Sequence, residues 1–281
     1  MINNNKKINF FKIHGTGNDF IVINDIYNNI FNEQDQYFFK KLCNRHIGIG
    51  GDGVILIQKD YECDFYMKYY NSNGKIGSMC GNGGRCAIYL SRILGLLSNK
   101  NKSETLFKTI DGYHKGFIKS NNIISIELAS IKKNKIEINP NYTFIDTGSP
   151  HHVIFCEKII DINVCKIGKK IRYNNKYLKK GVNVNFVQIN NLKNNNINIQ
   201  VRTYERGVEN ETLSCGTGVV ASVIASVENR KIKKNNNKIE VDTLGGKLWV
   251  SFDIKNEEYQ KIYLTGPVKL VFEGWFFIKK N

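Results

Sequence analysis

Residues 79–97 read MCGNGGRCAIYLSRILGLL, with two cysteines and three glycines in the first eight positions and an apolar run behind them. The phrase returns at residues 214–227 as SCGTGVVASVIASV. In both places a cysteine followed by Gly-x-Gly opens a segment whose apolar residues surround the helical axis, most clearly in VVASVIASV. A helix that is apolar on every side is a buried one. The two stretches therefore predict two buried helices, each entered through a cysteine.

The surroundings of the two cysteines match as well. YYNSNGKIGSMCGNGGRCA aligns with TYERGVENETLSCGTGVVA, with Tyr70 and Tyr204 opening the paired stretches. Upstream, GNDFIVI from Gly17 aligns with GSPHHVI from Gly148, and downstream TIDGYHKGFI from Thr109 aligns with TLGGKLWVSF from Thr243. Four matches in one order make a two-fold internal repeat. Runs such as DFIVIND, GVILIQ, DFYMKYY, HHVIF, NFVQI and INIQVRTY have the alternating or continuous apolar pattern of strands. The expected fold is α+β, with two pseudo-symmetric domains. Each is a curved, mostly antiparallel, barrel-like sheet wrapped around a central helix. The repeat order returns the last strand, VKLVFEGWFFI, to the first half. The expected domains are thus 1–122 plus 267–281, carrying Cys80, and 123–266, carrying Cys215.

Composition narrows the function. At 281 residues with 41% hydrophobic content the chain has enough apolar material for a substantial core, and no run approaches the ~20 apolar residues of a membrane span. The first ten residues, MINNNKKINF, lack the apolar region of a signal peptide, so a soluble cytoplasmic protein is expected. The net charge is +16, but 34 of the 41 basic residues are Lys and only seven are Arg. Lys, Asn and Ile share A/T-only codons, and Arg-rich segments interleaved with aromatics are missing, so no nucleic-acid partner is expected. Seven cysteines with no C-x-x-C spacing argue against a disulfide framework or structural zinc. GTGNDF and GIGGDG lack the lysine of a phosphate loop, and GIGGDG precedes a strand instead of following one. No metal, nucleotide or other cofactor is expected.

The chemistry of C-G-x-G follows from its place. The first helical turn leaves backbone N–H groups unpaired and partly positive. Glycines let a ligand approach those amides, and the same field favours thiolate over thiol. One such cysteine alone would fit a nucleophile, a redox sensor or a plain helix start. Two, related by a pseudo-two-fold, can flank one bound anion. That arrangement suits stereoinversion beside a carboxylate, one thiolate removing the α-hydrogen and the opposite thiol returning a proton to the other face.

The motifs HGTGNDFIVI, RHIGIGGDG, YNSNG running into CGNGGRC, GSPHHVI, GVNVNF and YERGVENETLSCGTG together resemble the diaminopimelate epimerase family over nearly the whole chain. The resemblance implies cofactor-independent interconversion of LL- and meso-diaminopimelate, feeding lysine and cell-wall synthesis. It makes Cys215 the base for the LL isomer and Cys80 the proton donor, with roles reversed in the other direction. Gly81, Asn82, Gly216 and Thr217 fall at the positions that hold the reacting carboxylate. Asn18, Asn71, Asn183, Glu205 and Arg206 fall at substrate-binding positions, and His151 and Glu205 at positions that tune the cysteines. Two positions depart from the common pattern: Gly53 stands where it has Gln, and Ser149 where it has Asn. A proline or hydroxyproline racemase is the nearest rival, but its substrate has no distal zwitterion to engage Glu205 and Arg206. The expected partner is the small-molecule substrate, and the sequence leaves a homodimer open.

Overall fold

The structure is a computed structural model and describes residues 5–27, 30–31, 35–77, 79–97, 103–191, 197–233 and 238–279. In chain order its first elements are β1 (Asn5–Gly15), β2 (Asn18–Asn24), α1 (Gln36–Cys43), β3 (Gly53–Gln58), β4 (Phe65–Asn71), α2 (Gly81–Ile93), β5 (Glu104–Thr109), β6 (Gly112–Ile118) and β7 (Ile123–Leu128). There follow β8 (Ile131–Lys132), β9 (Ile136–Ile138), β10 (Thr143–Asp146), β11 (Pro150–Phe155), α3 (Val164–Arg172), β12 (Asn183–Asn191) and β13 (Ile197–Glu205). The chain ends with β14 (Asn210–Thr212), α4 (Gly216–Glu228), β15 (Ile239–Thr243), β16 (Gly246–Lys255) and β17 (Glu258–Lys279). The fold is α+β and divides into Met1–Ile126 with Pro267–Asn281, and Glu127–Gly266. Residues 123–126, expected in the second unit, belong to the first because β7 pairs with β6 there (Ile118↔Ile124, Gly116↔Ile126).

In the first unit the last part of β17 pairs antiparallel with β1, and β1 with β2. The sheet continues with β2–β3 parallel, β3–β4 antiparallel, β4–β5 parallel, then β5–β6 and β6–β7 antiparallel. Pairing of β7 with β17 closes a ring of eight strands. The second unit has the same sequence of ladders. β9–β10 and β10–β11 are antiparallel, β11–β12 parallel, β12–β13 antiparallel, β13–β15 parallel, and β15–β16 and β16–β17 antiparallel. The start of β17 then pairs with β8, which a single 3-10 turn, Lys133–Lys135, joins to β9.

Each ring has two parallel ladders, and a parallel pair needs a crossover connection. The crossovers are the helices. α1 joins β2 to β3 and α3 joins β11 to β12, while α2 joins β4 to β5 and α4 lies between β13 and β15. The expectation of one central helix per half therefore covered only part of the helical content. α1 and α3 are short amphipathic covers: Phe39 and Leu42 pack with Ile21, Val54 and Tyr70, and Val164 packs with Val184, Phe186 and Tyr204. α2 and α4 are the central ones. α2 meets β1, β2, β3, β4 and β6, and α4 meets β10, β11, β12, β13 and β16. Ten of the 13 residues of each are buried. The serines inside α4 are tolerated because Ser222 and Ser226 donate to the carbonyls of Gly218 and Ser222, one turn back.

Candidate active site

Cys80 and Cys215 are the N-cap residues of α2 and α4, with φ/ψ of −108/116 and −110/108. An extended residue leading into a helix presents its side chain beside the unpaired first-turn amides. The Gly83 N–H donates to the Cys80 sulfur at 3.4 Å. Thr217 Oγ1 lies 3.7 Å from the Cys215 sulfur. Cys215 is buried and Cys80 half-buried.

Around Cys80 the first unit assembles a directed polar chain. The Cys80 thiol donates to Asn18 Oδ1 at 3.8 Å, and Asn82 Nδ2 donates to the same oxygen at 3.2 Å. Asn18 Nδ2 in turn donates to Asp52 Oδ2 at 2.7 Å. Asp52 sits in an ion network in which Arg45 contacts Asp19 and Asp52, and buried Lys12 contacts Asp19 at 2.6 Å. These cations hold the Asp19 carboxyl down at about 2 against its desolvation, whereas burial raises that of Asp52. Asn71, at the end of β4, opposes Gly53 across the β3–β4 ladder and lies close to the Lys75 carbonyl. Gly53 itself is buried at the start of β3. A Cβ there would stand 2.5 Å from the Tyr69 ring and from the Tyr70 carbonyl. The Gln of the common pattern has no room in this packing, so Gly53 has only backbone to offer.

In the second unit, the parallel β11–β12 ladder sets His151 opposite Asn183. Asn183 Nδ2 donates to Ser149 Oγ at 2.9 Å and to the Pro150 carbonyl at 3.1 Å, and Asn183 Oδ1 accepts the Arg206 N–H at 2.9 Å. Ser149 therefore has a structural partner through its shorter side chain. Glu205 accepts from the Thr212 hydroxyl at 2.8 Å, and the exposed Arg206 guanidinium donates to the Lys180 carbonyl at 2.9 Å. Fully buried His151 has its Nδ1 3.1 Å from Asn185 Nδ2, and Asn185 Oδ1 accepts the Thr203 hydroxyl at 2.9 Å. That order makes Nδ1 an acceptor and leaves the ring proton on Nε2. Burial, and after it the charge of Arg206, lowers the His151 pKa to about 3, so the ring is neutral at pH 7.

The expected residues thus fall into two groups. Asn18, Gly53, Asn71, Cys80, Gly81 and Asn82 lie in the first unit, and Ser149, His151, Asn183, Glu205, Arg206, Cys215, Gly216 and Thr217 in the second. Sequence reasoning missed Asp52, Asn185 and Thr203. Asn185 was within reach of it, since GVNVNF places Asn183 and Asn185 two apart and so on one face of a strand. Asp52 and Thr203 carry no such signal. Among the described residues no cluster of His, Cys, Asp and Glu is arranged to hold a metal ion.

Known proteins match this chain in sequence and in fold. The sequence model of the family described as diaminopimelate epimerase matches residues 10–122 and 143–271. The diaminopimelate epimerase of Flavobacterium psychrophilum is 44% identical over 263 residues, covering 94% of this chain and 98% of its own. That of Aquifex aeolicus is 36% identical over 291 residues, covering 94% and 96%. Among solved structures, a PhzF-family phenazine biosynthesis protein of Bacillus anthracis superposes with a TM-score of 0.71 at 17% identity, covering 97% of this chain and 100% of that one. A hydroxyproline epimerase of Agrobacterium vitis, solved with trans-4-hydroxy-L-proline, gives 0.71 at 12% identity over 98% and 93%. These two share the fold.

Proposed function

The chain belongs to the diaminopimelate epimerase family and is an isomerase acting on an amino-acid derivative, and on that premise we propose that it interconverts LL- and meso-diaminopimelate through Cys80 and Cys215. The observation that carries this reading is the matched pair of N-cap cysteines, each leading in the same extended conformation into a buried 13-residue helix of an identically paired ring. With the LL isomer bound, the Cys215 thiolate takes the α-proton and the Cys80 thiol gives its own proton to the opposite face of the planar carbanion. The meso isomer uses the pair in reverse. One proton leaves carbon, one arrives, and the free enzyme re-equilibrates through solvent.

The amides at Gly81, Asn82, Gly216 and Thr217 suit the reacting carboxylate, because charge delocalised onto it in the transition state meets donors already fixed by the helices. Glu205 and Arg206 suit the distal ammonium and carboxylate, and Asn18, Asn71 and Asn183 suit the hydrogen bonds that orient the substrate. Since the thiols supply both proton transfers, the reaction as proposed calls for no pyridoxal phosphate. Thiol chemistry also favours a reducing compartment, and with it a cytoplasmic role in lysine and cell-wall precursor supply. No helix among the described residues is long and apolar enough to cross a membrane.

The test is incubation with LL-diaminopimelate in D2O. The expected result is one deuteron at the inverted α-carbon of the meso product. No exchange and no meso product, or turnover of trans-4-hydroxy-L-proline in its place, overturns the reading.

A further inference from the structure

Arg85 lies on α2 one turn beyond Cys80 and is completely buried. Helical side chains lean towards the N-terminus, and its guanidinium comes to rest over the first turn of the helix. Nη2 donates to Asn82 Oδ1 at 3.0 Å and to Thr16 Oγ1 at 3.2 Å. Room for it is made by Gly15, where a Cβ would stand 3.0 Å from Nη2. Thr16 is a β-branched residue in the left-handed region, at φ 51, so the turn that delivers Asn18 is held in a strained form at this contact.

An arginine only donates and a carboxylate only accepts. The chain Arg85–Asn82–Asn18–Asp52 is therefore fixed in polarity from both ends, and Asn18 turns its carbonyl oxygen to the Cys80 sulfur. A carbonyl facing the sulfur favours the thiol. A thiolate there needs an opposing positive charge. Asp19 and Asp52 are balanced by Lys12 and Arg45. The Nε and Nη1 hydrogens of Arg85 meet no hydrogen-bond partner among the described residues, so its charge is only partly quenched. α2 packs on β1, β2, β3, β4 and β6, whose other titratable groups are Lys6, Lys7, Lys12, His14, Asp19, Tyr66, Lys68, Tyr69, Tyr70, Tyr113, His114 and Lys115. Burial lowers the Arg85 pKa to about 10, which still leaves it charged at pH 7, and Cys86 and Cys80, when ionised, favour that charged form.

The repeat supplies an internal control. Cys80 and Cys215 are 135 apart, and the same offset carries Arg85 to Val220, which is fully buried in α4. A buried helix of this ring is thus built without the cation, and an apolar side chain in that place avoids the cost of burying one. We propose that Arg85 is a positioning residue for Cys80: the buried guanidinium orients the Asn82 and Asn18 amides and provides the fixed positive charge that makes the Cys80 thiolate accessible. Its role rests on the two-cysteine reading, but its effect on the sulfur is measurable without substrate.

The test is the pH profile of iodoacetamide alkylation at Cys80 in the full chain, quantified by mass spectrometry at that residue. Arg85→Gln keeps a donor and loses the charge, Arg85→Met loses both, and Arg85→Lys keeps the charge. The first two should raise the apparent Cys80 pKa by about one unit or more, slowing alkylation about tenfold below it. Arg85→Lys should stay near wild type. An unchanged profile in natively folded Arg85→Gln and Arg85→Met, or an equal shift in Arg85→Lys, overturns the proposal. Should both neutral variants lose the wild-type circular dichroism, Gly15→Ala pushes the guanidinium aside with its charge intact. The Cys80 pKa should then also rise, and no rise overturns the proposal. Absence of epimerisation by the wild-type protein would reject the two-cysteine reaction while leaving this measurement standing.

Discussion

Asn185 Oδ1 occupies the place where a side chain at Gly218 would begin: a Cβ on Gly218 would lie 2.3 Å from that oxygen and 3.3 Å from the Cys215 sulfur. The first turn of α4 is thereby seated directly on the Thr203–Asn185–His151 chain. Gly218→Ala must displace the Asn185 amide, the Cys215 side chain or both. We expect a loss of about 1–3 kcal/mol in stability, typical of overpacking, and a fall in kcat of at least about tenfold. Urea unfolding and steady-state kinetics read the two effects. A variant with wild-type kcat would show that the Cys215 position tolerates a shifted support.

Replacing either cysteine tests the reaction itself. Cys80→Ala and Cys215→Ala should each lower LL-to-meso turnover by about 10³-fold or more, since each removes an acid–base group. Far-ultraviolet circular dichroism should remain that of the wild type. Cys63, Cys156 and Cys165 lie outside both helix starts, and their alanine variants should keep near-normal turnover. Near-normal rates in Cys80→Ala would end the two-base reading.

Asp52 anchors the far end of the amide chain at Asn18. In Asp52→Ala, Asn18 loses the acceptor that fixes its Nδ2, while Arg45 retains Asp19. The expected outcome is a drop in kcat/KM of roughly 10- to 100-fold, the scale of a small misplacement at a reacting centre. Thermal unfolding should change little by comparison. Unaltered kcat/KM would mean that Asn18 holds its orientation without the carboxylate.

Acid should loosen the second unit. Burial lowers the His151 pKa to about 3 and that of His152 to about 4, both below the ordinary 6.5. Between those values and 6.5 the unfolded chain binds protons that the folded unit does not. Stability is therefore full above 6.5 and declines as pH falls, levelling off below about 3. The slope for fully buried His151 is about 1.4 kcal/mol per pH unit, and buried His152 adds to it down to about pH 4. Urea midpoints at pH 7.5, 6.0 and 4.5 measure this. Equal midpoints across that range would contradict the buried neutral ring.

Much of this architecture could be read in the chain. The runs DFIVIND, GVILIQ and DFYMKYY became β2, β3 and β4, and HHVIF, NFVQI and INIQVRTY fell in β11, β12 and β13. Those strands are legible because a continuous or alternating apolar pattern has few other uses. The glycine-flanked cysteines were legible because their repetition is a statement about geometry. α1 and α3 were harder, since QYFFKKLC and VCKIGKKIR span only about two turns each. The parallel ladders were hidden, as strand direction is decided by the crossovers and not by the strands. Arg85 and Asp52 were hidden for another reason. A charged residue in a sequence looks exposed, and only the fold shows that one is sealed in a core and the other tied to an amide.

β17 gives its residues up to Gly266 to one ring and those from Pro267 onward to the other. The ring begun by β1 is thus completed by a strand made after the whole of the other ring. As the chain leaves the ribosome, the Cys80 unit waits with β1 and β7 as unpaired edges while the whole Cys215 unit is synthesised. That second ring, residues 127–266, is contiguous and can close first. The earliest-made half is therefore the last to lose its exposed strand edges, and it is there that a nascent chain has most need of protection from wrong pairing.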